Sequence, residues 1–158
     1  MIKKITKHFL IFCLFFLLSC GFKVVDKTKQ NNFSVANIDT SGDRRINYII
    51  KNNLSINARK NSQNLLNVEL NSSKKKEVKE KNIKNQITKY KISILVQVKF
   101  NLINSRKIHN INSTYSGDYI VADSHSSTIS NEKKLVENLV ENISEDIKGK
   151  INSIINDI

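Results

Sequence analysis

Between Tyr90 and Leu102 the chain alternates apolar and polar side chains with a period of two. Tyr90, Ile92, Ile94, Val96, Val98, Phe100 and Leu102 share one side, while Lys91, Ser93, Gln97, Lys99 and Asn101 share the other; Leu95 and Ile103 break the rule. Successive side chains of a strand point to opposite faces, so this pattern predicts a strand of about thirteen residues, roughly 40 Å long and buried on one face only. Such a strand does not stand alone. Its backbone N–H and C=O groups need neighbouring strands, and its apolar face needs a second layer.

The neighbours are legible on both sides. Leu66, Val68 and Leu70 alternate, which predicts a strand near Leu65–Asn71. After a turn at Asn104–Lys107, Ile108–Val121 is placed to pair back antiparallel, with Gly117 expected at a bulge. Phe33, Val35 and Ile38 suggest a short first strand, and Ser41, Gly42 and Asp43 supply a turn and a helix cap. Ser72–Lys89 is polar and rich in lysine. It is expected to hold the polar end of one strand, a turn near Asn82–Asn85 and the approach to the next.

Two helices complete the pattern. Ile46, Ile49, Ile50 and Leu54 fall on one helical face, predicting a helix near Arg44–Ser55, followed by a connector over Asn57–Asn64. Val136, Leu139, Val140, Ile143, Ile147, Ile151, Ile154 and Ile158 keep helical spacing, with Glu137, Glu141, Glu145 and Lys148 opposite. Glu132 is expected in the first turn of this helix, where the dipole favours a carboxylate, and Asp123, Ser127 and Ser130 are the candidate caps. A stripe so rich in β-branched residues makes a poor isolated helix, so it must pack on the sheet. The expected fold is α+β, a two-layer sandwich with a sheet of about four strands and two helices on one face.

The N-terminus points to the membrane. Lys3, Lys4 and Lys7 precede the apolar run Phe9–Leu18, which has the length of a signal-peptide core and is too short for a bilayer that needs about 20 residues. Leu17, Leu18, Ser19 and Cys20 then form a lipobox: an aliphatic residue, a tolerant position, a small residue and a cysteine. Cleavage is expected between Ser19 and Cys20, with a diacylglycerol on the Cys20 thiol and a further acyl chain on its new amino group. Each buried CH₂ contributes about 0.8 kcal/mol, so three chains anchor the protein lastingly where one does so marginally. The expected organisation is a signal peptide over residues 1–19, a lipidated N-terminus and linker over 20–32, and one folded domain over 33–158. Gly21 in place of an aspartate, by the sorting rule of enteric bacteria, directs such a protein to the outer membrane. With Cys13 inside the leader, the mature chain keeps a single cysteine, so no internal disulfide is expected.

Side chains that could carry catalysis are sparse. His109 and His125 have no cysteine or carboxylate pair at metal-ligand spacing, and the run Asp123–Ser126 cannot fold onto itself as a triad. The four glycines are isolated, which excludes a phosphate loop. No catalytic residue, metal or cofactor is expected beyond the acyl groups on Cys20, and the chain is not expected to be an enzyme. The formal charge of +12 falls to about +9 without the leader lysines, which favours anionic partners such as acidic headgroups or an acidic protein face. The abundance of Lys, Asn and Ile and the lack of proline also fit A/T-rich coding, which raises basicity without a partner.

In this order of elements the chain resembles the LptE family of lipopolysaccharide-assembly lipoproteins. The likeness rests on the lipobox followed by Gly21 and Phe22, on the tyrosine-led strand from Tyr90 to Leu102, and on the strand end Asp118–Tyr119–Ile120–Val121. It extends through the serine-rich loop Ser124–Ser130 to the long helix with Ile143, Asp146 and Ile147. The resemblance implies a lipid-anchored protein on the periplasmic side of the outer membrane. It also implies a plug and assembly partner for an LptD-like barrel, direct contact with lipopolysaccharide, and no nucleic-acid partner. By position, the candidates for lipid A phosphates are Lys84, Lys89 and Lys91; before the second helix stands only His125. The alternative is an envelope lipoprotein that binds a lipid or other anion without a barrel.

Overall fold

A computed structural model describes residues 32–56 and 64–157. The expected leader, Ser19, Cys20, nearly all of the linker and most of the Asn57–Asn64 connector lie outside the described residues. Strand β1 (Ser34–Gly42) leads into helix α1 (Arg44–Ile56). Strands β2 (Leu65–Lys81), β3 (Ile87–Leu102) and β4 (His109–Ile120) follow, and helix α2 (His125–Asn156) closes the chain. The sheet order is β1-β2-β3-β4, with β1 parallel to β2 and the other pairs antiparallel. Both helices pack on one face of this sheet, as the apolar patterning requires.

The core forms where the alternating faces meet the helical stripes. Leu66, Val68 and Leu70 of β2 and Ile92, Ile94, Val96, Val98 and Phe100 of β3 are buried against Ile46, Ile50 and Leu54 of α1 and Val140, Ile143, Ile147 and Ile151 of α2. Asn53 Nδ2 donates to Ser144 Oγ between the helices at 3.3 Å, and Arg45 pairs with Glu137 at 3.1 Å. Because α2 covers α1 as well as the sheet, its buried stripe widens to include Ser144 and Lys148. Lys148 therefore leaves the polar face expected for it; its ammonium emerges to meet Glu145 at 2.7 Å.

Local expectations change at the first turn, at Gly117 and at the start of α2. Strand β1 runs through Ser41 to Gly42, so the turn shrinks to Gly42 and Asp43. Gly42 takes φ +89°, and Asp43 Oδ1 caps α1 by accepting from the N–H groups of Arg45 and Ile46 at 3.0 and 3.1 Å. The three-residue step from Val35 to Ile38 fits the strand because Ala36 bulges, leaving Val35 and Ile38 opposite Leu66 and Val68. Gly117 is not a bulge: it stays in register with Ile92, and a Cβ there would lie 2.7 Å from Leu135 Cδ1, so glycine admits the close approach of α2. Helix α2 begins at His125, eleven residues before Val136, the first residue of its apolar stripe. Ser124, rather than Asp123, Ser127 or Ser130, is the cap, its Oγ accepting from Ser127 N at 3.1 Å. Glu132 is thus one turn too deep to act on the helix dipole at the N-terminus.

Candidate functional site

Strands β2 and β3 outrun the core and form a long hairpin. Strand β1 follows β2 only as far as the Gly42–Ser72 pair, and every β2 residue from Ser73 to Lys81 is exposed. Eight lysines and two glutamates lie between residues 74 and 91. The turn is built by asparagines. Asn82 Oδ1 accepts from the N–H groups of Lys84 and Gln86 at 3.0 and 2.9 Å, and Asn85 takes φ +59°, a conformation asparagine tolerates better than most residues. Ile83 stands fully exposed at the tip.

The three candidate lysines occupy two different settings. Lys84 sits at the tip and has no ion-pair partner among the described residues. Lys89 and Lys91 are two residues apart on the sheet face away from the helices. Lys89 Nζ lies 2.8 Å from Glu80, and Lys91 is in register between Glu77 and Asp118. Nearby, Lys79 pairs with Asp118 and Lys75 with Glu77 at 2.7 Å. The Lys75 ammonium, helped by Lys91, holds the Glu77 carboxyl below its usual range. The structure thus gathers these lysines on one hairpin, but leaves Lys84 the most available to an outside anion. His125 is the first residue of α2, at the opposite edge of the sheet's end, and joins none of them.

Under the hairpin, on the helix side, lies a cluster that the sequence patterning did not single out. Lys76 Nζ is 2.7 Å from Glu132 Oε2 and 4.4 Å from the centroid of the Tyr90 ring, a cation–π distance. Tyr119 stacks on Tyr90 at 5.6 Å and donates its hydroxyl proton to Glu132 at 2.8 Å, while Lys74 approaches the same carboxylate at 3.8 Å. The Lys76 bond pulls the Glu132 carboxyl below its ordinary range, against the effect of burial. Burial opposes charge on Lys76, but its bonds to Glu132 and Tyr119 outweigh that and raise its pKa. Burial first, then the Glu132 contact, pushes the Tyr119 phenol up. The signal was present in the β2 phase: Lys74, Lys76 and Val78 continue the inward series of Leu66, Val68, Leu70 and Ser72. The cluster seals the open end of the core.

The other face of the sheet holds a shallow groove of about 550 Å³ crossing all four strands, polar at Asp39, Glu69, Asn71, Gln97 and Asn112. Among the described residues, no group of His, Cys, Asp and Glu is placed to hold a metal ion, and no helix is long and apolar enough to cross a membrane.

No protein-family model matches the chain, and neither does any curated protein. Solved structures share its fold. One is the rare lipoprotein B from Shewanella oneidensis, with TM-score 0.60 and 12% identity over 77% of this chain and 97% of that one. Another is a candidate lipoprotein from Caulobacter crescentus, with TM-score 0.53 and 14% identity over 75% of this chain and 90% of that one. At such identities the likeness is one of fold.

Proposed function

We propose that this chain is an envelope lipoprotein of the LptE kind, tethered through acylated Cys20 and acting in lipopolysaccharide transport as plug and assembly partner of an LptD-like outer-membrane barrel. The observation that carries the reading is a conjunction: a leader ending in the Leu17–Cys20 lipobox stands before a domain with the fold of rare lipoprotein B. The fold alone supports many functions; the lipobox restricts where this copy works.

The geometry supports a division of labour along the molecule. Ser34 pairs with Leu65, so the tethered end of the chain joins the sheet where β2 begins. The hairpin tip lies at the other end of β2, 17 residues away, which is about 55 Å at the rise of a strand. The lysine hairpin is therefore presented away from the attachment point, where phosphate groups of lipopolysaccharide would meet Lys84 first and Lys89 and Lys91 next. The chain itself contributes binding and shape, not bond-making.

Co-purification tests the reading. A C-terminally tagged full-length protein, extracted in mild detergent from its own envelope, is expected to bring down one outer-membrane barrel and lipopolysaccharide in near-stoichiometric amounts. Recovery of lipid or another anion with no barrel would replace the plug by the free binding lipoprotein.

A further inference from the structure

We infer that the free edge of β2 between Ser73 and Lys81 is a docking site for an extended acidic segment of a partner polypeptide, which adds to the sheet as a strand in line with β1. The inference is independent of the lipid anchor and of lipopolysaccharide.

Three observations carry it. First, the edge offers backbone groups. Asp43 N–H bonds to Ser72 C=O at 3.0 Å, so Ser72 faces the β1 side; by strand alternation the N–H and C=O groups of Lys74, Lys76 and Val78 face the same way. Among the described residues no strand lies beside them.

Second, the guard on this edge is charge alone, which an acidic segment would turn into attraction. On β4 a side chain also covers the backbone: Lys150 Nζ donates to the backbone carbonyl of Asn112 at 3.0 Å. On β2 each lysine side chain is drawn elsewhere. Lys74 and Lys76 point to Glu132, Lys75 to Glu77, Lys79 to Asp118 and Lys81 to the Asn85 side chain. They set the charge of the edge without covering its carbonyls.

Third, a groove of about 260 Å³ opens beside Lys74, between the start of α1 and the first turns of α2. Ile46, Ile129 and Val136 give it an apolar lining, and Arg45 and Lys133 stand at its rim; Ile129 is more than half exposed. A strand laid on the edge would turn alternate side chains into this groove, which is how added strands gain specificity. The lysines of the hairpin, with Arg45 and Lys133, outnumber the carboxylates set among them (Asp43, Glu77, Glu80, Asp118, Glu132 and Glu137), which favours an acidic segment with apolar residues at every second position.

The test uses the full-length lipoprotein in detergent micelles and a fluorescent peptide, Val-Glu-Val-Glu-Val-Glu-Val. Binding is followed by anisotropy and by amide hydrogen exchange. We expect saturable binding, slowed exchange at Lys74, Lys76 and Val78, and loss of binding when the peptide amides along one edge are N-methylated. Val78→Pro removes one edge donor without touching an ion pair; it should weaken binding about five- to tenfold relative to Val78→Ala, the scale of one lost backbone bond. Equal affinity of the two variants overturns the inference. So does slow exchange of these amides before peptide is added, concentration-dependent self-association that protects them, or protection only by phosphatidylglycerol vesicles.

Discussion

Two residues govern whether the sheet's ends close properly. Gly42 has φ +89°, and a Cβ built on it would fall 2.0 Å from the Ser72 carbonyl oxygen, whose bond to Asp43 N–H sets the start of α1. Gly42→Ala combines a disfavoured backbone conformation with a backbone clash, so we expect a loss of about 2 kcal/mol or more in urea unfolding. Behind it, Ser72 Oγ donates to Asn47 Oδ1 at 2.7 Å and Asn47 Nδ2 to Ser41 C=O at 2.8 Å, which keeps this buried junction fully paired. At the hairpin end, Glu132 takes over the same closing role. Its carboxyl is held below the ordinary value of 4.5, so its ion pair stabilises the fold fully above that pH and is lost as pH falls through the depressed folded pKa. The stability difference between wild type and Glu132→Gln should be constant near neutrality and shrink on acidification below about pH 4.5. A difference that grows toward acid pH would remove Glu132 from the cluster.

At the scale of elements, the hairpin explains both what sequence patterning captures and what it misses. The period of two marks β3 clearly because one face is buried, and the fold class, the two helices and the turn near Asn82–Asn85 follow from that and from helical spacing. The start of α2 escapes because its first two turns, from His125 to Glu132, carry few core residues and follow several serines, any of which could cap. The Lys76–Tyr90–Tyr119–Glu132 cluster escapes because its members come from four elements, and a lysine on an inward phase is indistinguishable in sequence from one on a solvated edge. The structure also ranks the candidate lysines. Lys89 is engaged by Glu80 and Lys91 lies between two carboxylates, whereas Lys84, at the tip, has no ion-pair partner among the described residues. Neutralising Lys84, Lys89 and Lys91 together to glutamine should weaken lipopolysaccharide binding several-fold at low salt and much less at high salt, since exposed charges are screened beyond about 8–10 Å at physiological ionic strength. Lys84→Gln alone should account for more of that loss than Lys89→Gln. Surface plasmon resonance at two salt concentrations measures both, and equal affinities at low salt would return these lysines to a solvated edge.

At the scale of the whole molecule, the leader and the domain carry complementary information. The proposed lipobox is a short local pattern: the order of Leu17, Ser19 and Cys20 is what the proposed cleavage and acylation would require, and reading it needs no tertiary structure. Partner and ligand are the reverse, because they depend on surfaces assembled from distant segments; the free β2 edge becomes visible only once β1 is seen to stop at Gly42. The two halves make one account if the body is held at the membrane by residue 20 while the hairpin projects some 55 Å from the point where the tether enters the sheet. Cys20→Ala should leave an uncleaved, unacylated precursor without altering the unfolding of the domain. Intact-mass spectrometry of the protein extracted from its own membranes decides whether Cys20 carries the tether. The expected species is a chain beginning at Cys20 and carrying the added mass of three acyl chains and glycerol; a chain that retains Met1–Ser19, or one with a bare cysteine, would rule out the lipid tether.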